Sequence, residues 1–179
     1  MGEDKGLVLL KNKPMITYAI ETLKPLVSEI LIMANSSSYD HFGLKVYPDL
    51  KPGCGPLGGI FTGLTHSQTD WNLVLSCDTP FVTTELLAHL QSKAGAQKAI
   101  LPVHKEQVEP LVGLYHKSCR IIFGELIQRK EFKMRYAVKR LKPLKLTVDE
   151  RNDFYSKRLF DNINTPEALE QAGKALDSN

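Results

Sequence analysis

No stretch of this sequence is apolar for the ~20 residues that a membrane-spanning helix needs. The first residues, MGEDKGLVLLKNK, are too charged to form the apolar core of a signal peptide. Cysteine is scarce: three residues, Cys54, Cys77 and Cys119, with no CxxC pair. That excludes a disulfide framework and a cysteine-based zinc site, and leaves reduced thiols in the cytoplasm as the simplest setting. The five histidines are scattered without metal-ligand spacing. Neither sign of charge dominates, with 23 basic and 20 acidic residues giving a net +3. That balance is too mild for a nucleic-acid binder but suits an anionic small molecule. Neither nucleic acid nor membrane is therefore expected as a partner. Internal repeats and low-complexity linkers are absent as well. What remains is a chain of 179 residues, 42% hydrophobic and 24% charged, long enough for one domain with its own core.

Strand and helix signals alternate through the first hundred residues. PMITYAIETLKPL carries Pro14 at a first-turn position and Ile16, Ala19, Ile20 and Leu23 at helical spacing. EILIMAN, LKVYPD and WNLVLSCD read as buried strands, and Pro56 opens a helix over PLGGIFTGLTHS. TTELLAHLQSK follows as a helix with Thr83 at its N-cap. In the second half, KAILPV, EPLVGLYH and PLKLTV read as strands. KSCRIIFGELIQRK, the basic KMRYAVKRL and TPEALEQAGKAL read as helices, the last capped by Thr165 with Pro166 in its first turn. This order predicts an α/β fold, a Rossmann-like, mostly parallel sheet covered by helices on both faces. In such folds ligands sit beyond the carboxyl ends of the strands. Those ends here are Ala34-Asn35, Pro48-Asp49 and Cys77-Asp78-Thr79-Pro80, each with a short polar residue.

The stretch GCGPLGG, Gly53 to Gly59, puts four glycines and a proline into seven residues. Bare main chain lets a base or phosphate approach, and the amides at the start of a helix form a positive end. A mobile loop is the competing explanation, weakened by the stiffening prolines Pro52 and Pro56. Asp78, at the tip of a strand, suits Mg²⁺ held against a triphosphate, and equally an Asx-turn that leads the chain off the strand. Asp49 has the same two explanations, with Pro48 favouring the turn. Lys5, near Gly2, is a point charge for phosphate oxygens or merely a solvated terminal lysine. Asn162 and Asn164 in FDNINTPEAL serve as caps or as binders of polar ligand edges. Lys133, Arg135, Lys139 and Arg140 meet an anionic substrate or form a solvated helix face. Cys77, without an identifiable partner histidine, reads as a small buried hydrophobe.

Taken in order, MGEDKGLVLLKNKP, VYPDLKPGCGPLGGI, LSCDTPFV and FDNINTPEAL resemble the molybdenum cofactor guanylyltransferases, also called molybdopterin-guanine dinucleotide biosynthesis protein A. The match spans essentially the whole chain and keeps its spacing. The resemblance implies a nucleotide-diphospho-sugar transferase-like, three-layer α/β/α fold and the transfer of GMP from GTP to molybdopterin, with Mg²⁺ and release of pyrophosphate. It implies Lys5 as the phosphate-binding lysine and Asp78 as the magnesium carboxylate, the two catalytic positions. Asp49 and the backbone of Gly55, Pro56, Leu57 and Gly58 resemble the guanine and ribose contacts, with Asn35 beside them. Asn162 and Asn164 fall in the signature near the pterin side, and Arg135 is a further candidate there. Transient contact with other proteins of cofactor biosynthesis is implied too.

The family begins with a strand and a glycine-rich loop of the form LAGGxSxRMGxxK, and this chain starts at the Met-Gly of that loop. The expectation is one nucleotidyltransferase domain over 1–179 that lacks its N-terminal strand and part of that loop, its start assigned at an internal methionine. A cytidylyl or sugar-phosphate nucleotidyltransferase, or a non-catalytic nucleotide-binding homologue, are the alternatives.

Overall fold

Strand β6 (Ala99–His104) feeds two cores at once, because successive side chains on a strand point to opposite faces. Ala99 and Leu101 enter one core with Leu57, Ile60, Phe123 and Leu126. Ile100 enters the other with Leu86, Leu87, Leu90 and Leu114. The sheet is thus apolar on both sides and needs helices on both, which gives the three-layer arrangement.

The computed structural model describes residues 4–177. The chain begins with a 3₁₀ turn (Lys5–Leu7) and a hairpin of β1 (Leu9–Leu10) and β2 (Lys13–Pro14). There follow α1 (Met15–Leu23), β3 (Leu31–Met33), a 3₁₀ turn (Ser37–Phe42), β4 (Lys45–Tyr47), α2 (Gly55–His66), β5 (Trp71–Leu75) and α3 (Thr84–Gln91). After β6 come β7 (Gln107–Val108), β8 (Val112–His116), α4 (Cys119–Gln128), α5 (Met134–Leu141), β9 (Leu144–Thr147) and α6 (Pro166–Leu176). Helices α2, α4 and α5 pack on one face of the sheet and α3 on the other. The caps fall where expected: Thr83 accepts from the Leu86 amide at 3.3 Å and Thr165 from the Ala168 amide at 3.2 Å.

The sheet is mixed rather than uniformly parallel. β3 and β4 pair in parallel, Ile32 opposite Val46. β8 lies antiparallel between β5 and β6, with Leu73 opposite Leu114 and Ile100 opposite Leu114 on the other side. β9 pairs in parallel with β6. So β5, β6 and β9 share one direction and β8 opposes them. The cause is connection length: β6, β7 and β8 are joined by short turns, too short for the crossover a parallel neighbour needs. The β1–β2 hairpin has Lys11 and Asn12 at φ 51° and 60°, the left-handed pair of a tight turn normally signalled by glycine. Among the described residues β3 pairs only with β4, and β5 only with β8.

Candidate functional site

Two groups of side chains form at the strand tips, and the first surrounds Asp78. β5 ends at Leu75 and the chain turns at once. The Ser76 hydroxyl donates to Asp78 Oδ1 at 2.5 Å, and the Thr79 hydroxyl donates to the Ser76 carbonyl at 3.0 Å. The Ile163 amide donates to the Asp78 carbonyl at 2.8 Å, laying the FDNINTP segment against the tip of β5. Ile163 is buried beside Leu10 and Met15, whereas Asn162 and Asn164 on either side of it are exposed. Lys5 Nζ donates to Asn164 Oδ1 at 2.5 Å. Two candidates from opposite ends of the chain thus meet beside a third.

Asp4 holds the turn that carries Lys5. Its Oδ1 accepts from the Gly6 amide at 3.2 Å and from the Tyr39 hydroxyl. A Cβ on Gly6 would collide with that tyrosine, so only glycine lets the turn approach so closely. Burial pushes the Cys77 thiol up to about 11, the Asp78 and Asp4 carboxylates add to the shift, and Lys5 opposes it. All three charges therefore act on one partly buried sulfur. At neutral pH that thiol stays protonated, which agrees with a packing role and not a nucleophilic one.

The second group joins β3, β4 and α2. Asn35 Oδ1 accepts from the Asp49 amide at 2.9 Å, and its Nδ2 donates to Asp49 Oδ2 at 3.4 Å. The Leu50 amide donates to the buried Thr62 hydroxyl at 3.0 Å, and that hydroxyl donates to the Gly58 carbonyl at 2.9 Å. Thr62 thus fixes the Asp49 turn against the first turns of α2.

The glycine stretch is less of a loop than its composition suggests. Gly53, at φ 77°, and Cys54 precede the helix, and Gly55 to Gly59 already belong to α2. No side chain caps that helix start, and Pro56 has no amide to offer. Gly55 and Pro56 are exposed, so the open donors there are main-chain amides. Leu57 contributes main chain only, because its side chain is fully buried in the core. Gly58 is fixed by packing: a Cβ there would lie 2.9 Å from Cys54 Cβ and 3.2 Å from the Lys51 carbonyl.

Other expected residues stand apart from these groups. Asn162 Nδ2 donates to the Phe160 carbonyl at 3.3 Å, and the residue lines a cleft of about 270 Å³ with Phe81 and Arg158. Arg135 bonds the Tyr136 hydroxyl at 3.2 Å and lines a separate groove on α5 with Lys139 and Lys142. Gly2 lies outside the described residues. Ser76, Tyr39 and Thr62 were not singled out in the sequence. Ser76 stands two residues before Asp78 and Thr62 one helical turn after Gly58, both local relations, whereas Tyr39 acts on Asp4 across 35 residues.

Among the described residues no three His, Cys, Asp or Glu side chains converge as a metal cluster. A single strand-tip carboxylate does not supply the ligand set that zinc takes. It does suit a cation such as Mg²⁺, which takes one or two carboxylates and fills the rest with phosphate oxygens and water.

The family that this chain matches makes it a nucleotidyltransferase, and a lysine and a carboxylate at one strand tip, with bare helix amides at the next, are an arrangement that suits a phosphate-bearing ligand. The model of the MobA-like NTP transferase domain matches residues 1–144. A probable molybdenum cofactor guanylyltransferase of Flavobacterium johnsoniae is 36% identical over 170 residues, covering 94% of this chain and 87% of that protein. The molybdenum cofactor guanylyltransferase of Shewanella pealeana is 37% identical over 180 residues, covering 98% and 88%. The crystal structure of molybdopterin-guanine dinucleotide biosynthesis protein A from Archaeoglobus fulgidus superposes with a TM-score of 0.83 at 27% identity, covering 99% and 93%. The 2-C-methyl-D-erythritol 4-phosphate cytidylyltransferase of Thermus thermophilus shares the fold, with a TM-score of 0.74 at 16% identity over 97% and 94%. The chain belongs to the MobA-like NTP transferase family.

Proposed function

We propose that this chain transfers the GMP moiety of GTP to the terminal phosphate of molybdopterin and releases pyrophosphate. The observation that carries the reading is the joining of Lys5, Asn164 and the Asp78 tip, with the Asn35–Asp49 pair and the open start of α2 at the neighbouring strand tips. The names of the Flavobacterium and Shewanella relatives support the choice of GTP and molybdopterin.

The reaction is an in-line displacement. An oxygen of the molybdopterin phosphate forms a bond to the α-phosphorus of GTP as the bond to the β-phosphate oxygen breaks. Both reactants are anionic, so the barrier is dominated by charge repulsion, and the protein acts by placement and neutralisation. Lys5, held by Asn164, offsets charge on the phosphates. Asp49 and the amides of Gly55, Leu57 and Gly58 hold the guanosine. Asp78 is the residue that would hold Mg²⁺, which when bound neutralises triphosphate oxygens. No covalent intermediate with the protein forms. The three cysteines are unpaired, in accord with the cytoplasmic setting we assign to the reaction.

A panel of GTP, CTP, ATP and UTP with molybdopterin, read out as pyrophosphate, tests this. GTP is expected to be preferred by at least about tenfold, one mispaired hydrogen-bond set being enough for that. A preference for CTP, or turnover with a sugar phosphate and not with molybdopterin, contradicts the proposal.

The domain is proposed to take one more strand and glycine-rich loop from upstream of Met1, between β3 and β5. All five residues of β5 are only half-buried, whereas β6 and β8 each bury four. Cys77, just past β5, packs in the same cluster as Ile32 of β3, so the two one-sided strands flank a common core. A chain extended by the upstream codons is expected to melt higher and to bind GTP more tightly. Equal melting and equal binding, or no in-frame apolar segment upstream, would remove this idea.

A further inference from the structure

Glu109 is a carboxylate that neither the fold nor the nucleotide site uses. It stands between β7 and β8, and the turn around it is fixed on both sides. Its amide donates to the Pro102 carbonyl at 3.0 Å, and its carbonyl accepts from the Val112 amide at 3.2 Å. Val112 pairs with Leu75, and the Ser76 amide donates to the Leu111 carbonyl at 2.9 Å, so this turn borders the strand tip that carries Asp78. The side chain is half-buried, and burial raises its pKa while the nearby His104 imidazole lowers it. Among the described residues it has no ion pair and no side-chain hydrogen bond. A desolvated carboxylate left without donors is costly unless a ligand brings them.

The surroundings fit a flat ligand. The His104 ring lies 5.2 Å from Phe160 and 5.7 Å from Tyr155, centroid to centroid, which builds an aromatic wall at the end of β6. Phe160 leads directly into Asn162 to Asn164, the segment tied to Asp78. The strand order puts this group on one flank of Asp78, over β8, β6 and β9. Asn35 and Asp49 follow β3 and β4, a separate two-stranded sheet that shares no ladder with β8, β6 or β9 and whose Ile32 shares a cluster with Cys77, next to Asp78. One nucleotide reaching from that sheet to Asp78 leaves the β6 flank to the second reactant.

We infer that Glu109 binds the acceptor, its two carboxylate oxygens taking the paired N–H donors of a 2-amino-4-oxopyrimidine edge on a pterin. Two parallel N–H bonds to a carboxylate are short, directional and selective for that edge. The inference rests on the proposed reaction, since guanine carries the same edge and only the flank assigns Glu109 to the pterin.

Fluorescence titration with 6-hydroxymethylpterin and with the matching lumazine, which has an oxo group in place of the 2-amino group, isolates this contact. Wild-type protein is expected to prefer the pterin by roughly tenfold, and Glu109→Gln to reduce the preference to about one. GTP binding by the variant should equal wild type, which also reports that it folds. A pterin preference retained by the variant, or absent in the wild type, overturns the assignment. So does competition of GTP with the pterin that Glu109→Gln relieves, since the carboxylate would then belong to guanine. A wild type that prefers the pterin but releases no pyrophosphate from GTP with molybdopterin contradicts the transfer reaction and leaves the Glu109 contact standing.

Discussion

Asp78→Asn is expected to lower kcat/KM for GTP on the order of a thousandfold, the size of losing one preorganised charge-stabilising group near phosphates. The same variant should melt within a few degrees of wild type. Asparagine retains an oxygen able to accept from the Ser76 hydroxyl, and the Ile163 amide bonds the main chain of residue 78, not its side chain. The substitution therefore separates the two roles that the sequence leaves open. If Asp78 only turns the chain off β5, asparagine serves as well and activity persists. If it holds a cation against triphosphate, the amide is a far weaker ligand and turnover collapses. Melting curves and steady-state kinetics on the one variant settle which.

Leu57→Ala should give the opposite pattern. Leu57 belongs to the GPLGG stretch by sequence, yet its side chain is fully buried with Ile60, Leu64 and Phe123. Truncating such a leucine costs about 3 kcal/mol, part lost transfer energy and part cavity. For a domain of this size that lowers the melting temperature by roughly 10 °C. The KM for GTP should stay close to wild type at temperatures where the variant is folded, because the side chain at this position is fully enclosed in the core and the proposed contact is made by its main chain. A KM increase above about tenfold with an unchanged melting temperature would mean that the leucine side chain itself touches the nucleotide.

The helices and strands were readable because each is written locally. WNLVLSCD is a continuous apolar run, and Thr83 and Thr165 stand three residues before the amides they accept from. The Asp78 and Asp49 tips were readable for the same reason, each ending an apolar run. The placement of β8 was not, because EPLVGLYH gives a strand without saying which neighbour it joins. Tyr39 and Asp4 bond across 35 residues, and Lys5 and Asn164 across 159, and no local pattern marks either pair. The glycines carry more than one demand: the close approach of Cys54 and Lys51 requires a glycine at Gly58 whether or not its amide meets a ligand, and composition does not separate the two. Lys133, Lys139 and Arg140, noted for their charge, lie on or beside α5. Arg140 pairs with Glu125 of α4.

A crystal structure of the protein with GTP and Mg²⁺ tests the central claim most directly. The cation should lie about 2.0–2.1 Å from an Asp78 carboxylate oxygen, the magnesium distance. The guanine should sit against the amides of Gly55, Leu57 and Gly58 and the Asp49 carboxylate, with Lys5 Nζ on a phosphate oxygen. Guanine found instead between Glu109 and the His104–Phe160 wall, or a cation without Asp78 among its ligands, would contradict the account.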